Sequence, residues 1–323
     1  MMRGSAVFRG LPPLGQLGLI QLLGRDRIWL APTAAVVAIQ FVFWIGLRAR
    51  GLAPAPMIGI YALPLPFAIV AAWRVRKASI SELLTMIVGG ELITACWALL
   101  TANKIGIDLA FPFWADAPIA RMEHGLFGID PTVAMRAALH PVLHGIEVLY
   151  YAWVPVQFIA IYALLLSPCS RRKAQGILSW ALCWIVLGNF VAALLSSAGP
   201  VFYDRLYGVH RFGDSPAATM AIANMLWSTY QAHSSMVGTG ISAAPSLHVA
   251  MSVWLALTLR GTRLYVPAAI YSAAIFVGSI TLGWHYVTDG IVGGLGALAL
   301  WRLAAYAIDA VEQLLQPTDE QPA

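Results

Sequence analysis

The chain has 323 residues, 59% of them hydrophobic and 11% charged, and a formal net charge of +5. Soluble domains carry about 25% charged residues, so this composition excludes an ordinary soluble globule and describes an integral membrane protein. The positive excess forms no basic stripe or run, which argues against nucleic acid as a partner and leaves a topology signal.

Residues 1–27 carry Arg3, Arg9, Arg25 and Arg27 but lack a short apolar region ending in a cleavage site. They read as a cytoplasmic lead-in to an uncleaved first span. Apolar stretches fit to cross the bilayer, or nearly so, follow at 28–47, 56–73, 80–102, 143–166, 176–197, 246–259, 264–282 and 286–308. The predicted fold class is therefore all-α, with about eight transmembrane helices, because helices satisfy their own backbone in lipid.

The connectors alternate in character. Arg74–Lys77, Arg171–Lys173 and the Arg260/Arg263 turn share one side with the basic N-terminus, and the positive-inside rule makes that side cytoplasmic. The other side receives the long loops 103–142 and 198–245 and the short 282–286 turn. Both termini are expected in the cytoplasm, with 311–323 a polar tail. Lysine is confined to Lys77, Lys104 and Lys173 while arginine and alanine abound, which points to a GC-rich bacterium and its cytoplasmic (inner) membrane.

Two segments concentrate the chemistry. Pro245-Ser246-Leu247-His248 opens the 246–259 span, and Gly283-Trp284-His285-Tyr286-Val287-Thr288-Asp289 opens the last one. Since a single hydrophobic span and a tight turn separate them, both histidines and the carboxylate fall on the outer side. Proline suits the first helical position, and the free N–H groups of that turn form an anion site with the helix dipole. Ser246 adds a hydroxyl donor and His248 a group that titrates near neutrality. His285 and Asp289 are four apart and share a helix face, so the carboxylate can hold one ring nitrogen and leave the other to attack phosphorus. The 246–259 span is only about 21 Å of helix against about 30 Å of hydrocarbon, which recesses His248 to headgroup depth.

Ala244-Pro245-Ser246-Leu247-His248 followed by Gly283-Trp284-His285-Tyr286-x-x-Asp289 resembles the type 2 phosphatidic acid phosphatase (PAP2) superfamily. It is most similar to the branch containing inositol phosphorylceramide synthase, where Leu replaces the Gly of the usual Pro-Ser-Gly-His. The resemblance implies a six-helix catalytic core over 79–310, preceded by two N-terminal spans in 1–78. It implies that His285 forms a phosphohistidine, that Asp289 orients it and that His248 protonates the leaving oxygen, with no cofactor and no metal. The donor would be a membrane lipid phosphoester, and the acceptor a lipid or sugar alcohol or water. Headgroup transfer is the first reading, a lipid phosphate phosphatase the second, and a non-catalytic transporter or scaffold the third.

The family's first motif, a lysine seven residues before Arg-Pro, has no match, and the usual Ser-Arg before the nucleophile reads Gly278-Ser279. Transition-state charge on the phosphoryl oxygens still requires donors. Arg205 leads the candidates, followed by Tyr203, Arg211 and Lys104, with Ser246 alongside. His140, His144 and Glu147 share a helix face but lack the His-Glu-x-x-His zinc pattern. Glu91 and Asn189 line a cavity or bond between helices, and Gly290 and Gly294 are expected to allow close packing beside Asp289. The 216–231 stretch and Ile119–Ile129 read as amphipathic lid helices.

Overall fold

The computed structural model describes residues 26–55, 80–168, 170–233 and 240–314. The expected lead-in, the 56–73 span, the Arg74–Lys77 connector and most of the C-terminal tail lie outside them. The described residues are helical without strands: α1 Arg27–Ala49, α2 Ile80–Ala110, α3 Asp116–Phe127, α4 Pro131–Ala138, α5 Leu143–Tyr151 and α6 Trp153–Leu166. Then come α7 Arg171–Leu182, α8 Pro200–Tyr207, α9 Ala217–Gln231, α10 Leu247–Thr258, α11 Tyr265–Thr281 and α12 Val287–Leu314.

Five stretches among the described residues are long and apolar enough to cross a membrane: Ile28–Ala49, Glu82–Ala110, His140–Leu166, Arg171–Leu194 and Val287–Leu314. The apolar helices α10 and α11 are shorter. The expected 80–102 span runs on to Ala110, so the loop predicted to start at 103 begins with two more helical turns. Lys104 and Asp108 explain this, because charges four apart partner one another within a continuing helix. The 198–245 loop likewise contains α8 and α9, and α12 continues to Leu314, into the expected tail.

α7 passes into a π-helical stretch, Cys183–Val191, before ending at Ala192–Leu194. Asn189 lies fully buried there, and its amide oxygen and nitrogen find no hydrogen-bond partner among the described residues. The expected interhelical bond from Asn189 is not formed there, and Glu91 is exposed on α2.

A few polar ties set the helices in register. Trp254 Nε1 donates to the Gly176 carbonyl at 2.8 Å, joining α10 to α7. Gln175 Nε2 donates to the Trp301 carbonyl at 2.9 Å, joining α7 to α12. Buried Lys173 stands 3.4 Å from Asp26, whose other partner is Trp29 Nε1 at 2.7 Å, and this fixes α1 against α7. The tightest approach is at Gly293, where a Cβ would sit 2.3 Å from the Ser246 carbonyl oxygen. Gly290 also packs closely, against Phe276, whereas Gly294 has only ordinary contacts with Val249 and Val253. Small residues on α12 thus bring its start against the start of α10.

α10 begins beside His248 and ends next to the Arg260–Arg263 turn; α11 returns from that turn and stops four residues before His285. The histidines therefore occupy one end of the bundle. The basic turn occupies the other, beside Arg172 at the start of α7.

Candidate active site

His285 and His248 meet at the first end. His285 Nε2 lies 3.3 Å from His248 Nδ1, and His285 Nδ1 lies 2.8 Å from the Ala243 carbonyl oxygen. A carbonyl only accepts, so Nδ1 of His285 carries the proton and, in the neutral ring, Nε2 keeps its lone pair. The proton in the contact between the rings then sits on His248 Nδ1. His248 is held from both sides: Tyr150 stacks on it at 4.6 Å between ring centroids and Trp153 leans on it at 4.3 Å. Trp153 Nε1 also donates to the His248 carbonyl at 3.1 Å.

Asp289 is almost completely buried, with Oδ2 3.9 Å from His285 Nδ1, beyond hydrogen-bond length. The same oxygen accepts the Tyr286 N–H at 2.9 Å, while Oδ1 has no partner among the described residues. Asp289 therefore shapes the Tyr286 turn, and the direct hydrogen bond to His285 comes from Ala243.

Ser246 is the N-cap of α10. Its hydroxyl accepts the Val249 N–H at 3.3 Å, and its own N–H donates to the Asp289 carbonyl at 2.9 Å. That leaves the N–H groups of Leu247 and His248 without a backbone partner among the described residues, as an anion site at a helix start requires. Ser279, where the family's arginine would stand, is fully buried and donates to Phe276, while its carbonyl accepts the His285 N–H at 3.1 Å.

The cationic candidates separate clearly. Arg205 is hydrogen-bonded to Asn224 of α9. Arg211 is held by Asp130 at 2.7 and 2.9 Å and by the Ala120 carbonyl at 2.8 Å, and Tyr203 is buried in a cluster with Phe212 and Tyr286. These contacts tie the outer helices to one another. Lys104 differs, because its charge acts on both His248 and His285 as well as on Asp108. Lys104, placed last by sequence, is the candidate among these whose charge bears on both imidazoles.

Several residues not singled out from sequence position the loops. Asp116 of α3 accepts the Ala198 and Gly199 N–H groups at 2.8 Å each, the Ser197 hydroxyl at 3.0 Å and the Tyr286 hydroxyl at 3.2 Å. Burial raises its carboxyl above the usual range, and these four donors oppose that shift. Glu123, two turns further along α3, accepts both the N–H and hydroxyl of Thr288 and so caps α12 beside Asp289. Asp108 accepts the Ile241 N–H, and the Ser197 carbonyl accepts the Ala243 N–H at 2.8 Å, which places the carbonyl that orients His285. Arg136 of α4 bonds to the Thr281, Phe212 and Asp214 carbonyls and the Ser215 hydroxyl, stapling two outer loops. On α3, Met122, Leu126 and Phe127 are exposed beside Arg121 and His124.

His140 and His144 are exposed, while buried Glu147 caps α9 through Thr219. No group of three potential metal ligands is present among the described residues.

A family model described as the PAP2 superfamily matches residues 117–303, more than half of the chain. The chain belongs to the PAP2 superfamily. Membership of the PAP2 superfamily brings a phosphatase or phosphotransferase kind of function and agrees with a bundle of apolar helices. The match spans both histidine segments and begins after Lys104. Comparison with curated proteins and with solved structures returned no match.

Proposed function

We propose that this PAP2 protein is a lipid phosphotransferase that works through a phosphohistidine at His285. The contact between His285 Nε2 and His248 Nδ1 carries the reading, since it presents a bare nucleophilic nitrogen to a proton donor. A lipid phosphoester enters between the two nitrogens and opens their 3.3 Å contact. Nε2 attacks phosphorus, the P–O bond to the leaving alcohol breaks, and His248, entering this step as the imidazolium, gives that oxygen its Nδ1 proton and returns to the neutral ring. An acceptor hydroxyl then loses its proton to His248 and attacks the phosphohistidine, restoring both rings. The Ala243 carbonyl holds the attacking ring throughout and stabilises the charge it gains.

Lys104 and the Leu247 and His248 N–H groups are the proposed donors to the phosphoryl oxygens. Among the described residues a single cation, Lys104, bears on both imidazoles, which suits a phosphodiester with its one negative charge and favours headgroup transfer like that of the inositol phosphorylceramide synthase branch. The site faces the extracytoplasmic side of a bacterial inner membrane in this reading, because Arg171, Arg172, Arg260 and Arg263 lie at the other end of the bundle. Hydrolysis of a phosphomonoester is the second reading, favoured by the same two histidines with water as acceptor.

Purified protein supplied with radiolabelled diester and monoester lipids, with and without alcohol acceptors, distinguishes them. Label on an acceptor lipid supports transfer; free phosphate supports hydrolysis. No conversion of either donor class counts against both.

A further inference from the structure

At the end of the bundle away from the histidines, α6, α10 and α11 enclose a groove of about 790 Å³. Ile159, Ala163, Leu255 and Ala268 give it apolar walls, and Ser170, Thr262 and Arg172 lie at its polar margin. Its volume is within the range of about 300–1,000 Å³ common to small-molecule sites.

Charge sets this groove apart from an ordinary lipid-facing furrow. Arg171 is paired with Asp309 and Glu312, whereas its neighbour Arg172, at the groove margin, forms no ion pair among the described residues. Arg260 and Arg263 in the adjoining turn add to the positive potential.

We infer that this groove binds one anionic glycerophospholipid, separately from the substrate site. The phosphate sits at Arg172 with the Ser170 hydroxyl, and an acyl chain follows the apolar walls. Basic margins between membrane helices select anionic headgroups for this reason. The lipid spans α6 and α10, the two helices that Trp153 joins to His248 at the other end, and so stabilises their packing. This inference does not depend on the chemistry assigned to the histidines.

The test uses the full chain in detergent with added phosphatidylglycerol or phosphatidylcholine, read by native mass spectrometry and by the thermal unfolding midpoint. One phosphatidylglycerol should be retained, and it should raise the midpoint where phosphatidylcholine does not. Arg172→Gln should weaken retention about fivefold, the factor for one surface cation. Ala163→Trp, at an exposed wall position, should block retention without changing turnover. Equal retention of both lipids would mean bulk lipid only and would overturn the proposal. So would a photoreactive residue at position 163 that crosslinks to the protein's own chain and to no lipid.

Discussion

His285 Nδ1 lies 2.8 Å from the Ala243 carbonyl oxygen and 3.9 Å from Asp289 Oδ2, so a main-chain oxygen holds the ring that the carboxylate was expected to hold. This changes what each residue contributes. Ala243 fixes the tautomer, and Asp289 anchors the Tyr286 turn.

The first prediction concerns that division. Asp289→Asn keeps an oxygen for the Tyr286 N–H and leaves the Ala243 bond intact, so turnover should fall only about ten- to hundredfold, as for loss of an outer-layer partner. His285→Ala should abolish it. Steady-state rates on one lipid donor check both, and equal losses would restore Asp289 as the primary orienting group.

Lys104 offers a second trial. If it compensates phosphoryl charge, Lys104→Met should lower kcat/KM by about 10²–10³, the effect of removing one transition-state donor. Lys104→Arg should recover part of the loss. Arg205→Gln, which removes a partner of Asn224, should change kcat/KM little. The reverse order would return the main phosphate contact to Arg205.

Gly199 provides a structural prediction. Its φ is +93°, and a Cβ there would lie 2.4 Å from the Trp284 carbonyl oxygen. Gly199→Ala should cost about 1–3 kcal/mol from the backbone conformation alone, with more from the clash, and should reduce activity by displacing the His285 loop. Gly208 also has a positive φ but nothing within 4 Å, so Gly208→Ala should be milder. Thermal midpoints and rates of the pair give the comparison.

The Asp130–Arg211 pair predicts a pH dependence. The hydrogen bonds from Arg211 hold the Asp130 carboxyl below its usual range, with a further contact from His124. A carboxyl whose folded pKa is depressed stabilises the fold above its unfolded pKa, about 3.9, and loses that contribution as pH falls through the lower folded value. The midpoint difference between wild type and Asp130→Asn should therefore be constant from pH 8 to 5 and close below about pH 4. Closure near pH 6 would assign the effect to another group.

The helical membrane fold was legible because apolar length and basic connectors are signals written along the chain. The histidine pair was legible for the same reason, as both residues follow helix-start sequences. What escaped was whatever depends on distant segments meeting. Ala243 acts through its carbonyl, which no side chain announces. Asp116 and Glu123 are seven apart on α3, a spacing that marks a common face, but their partners at 197–199 and 286–288 are distant in sequence. Lys104 was misplaced into a loop because its charge ended the apolar count, although Asp108 four residues on allows the helix to continue. Arg205 and Arg211 stood in the right stretch by order along the chain, yet nearby Asn224 and Asp130 engage them.

The central claim is a covalent phosphoryl group on His285. Purified protein mixed with a lipid donor labelled at phosphorus, quenched within one turnover and digested under alkaline conditions, tests it most directly. The account predicts acid-labile label on the peptide containing His285, absent in His285→Ala and accumulating when no acceptor alcohol is supplied. Full turnover with label on no histidine, or on His248 instead, would contradict it.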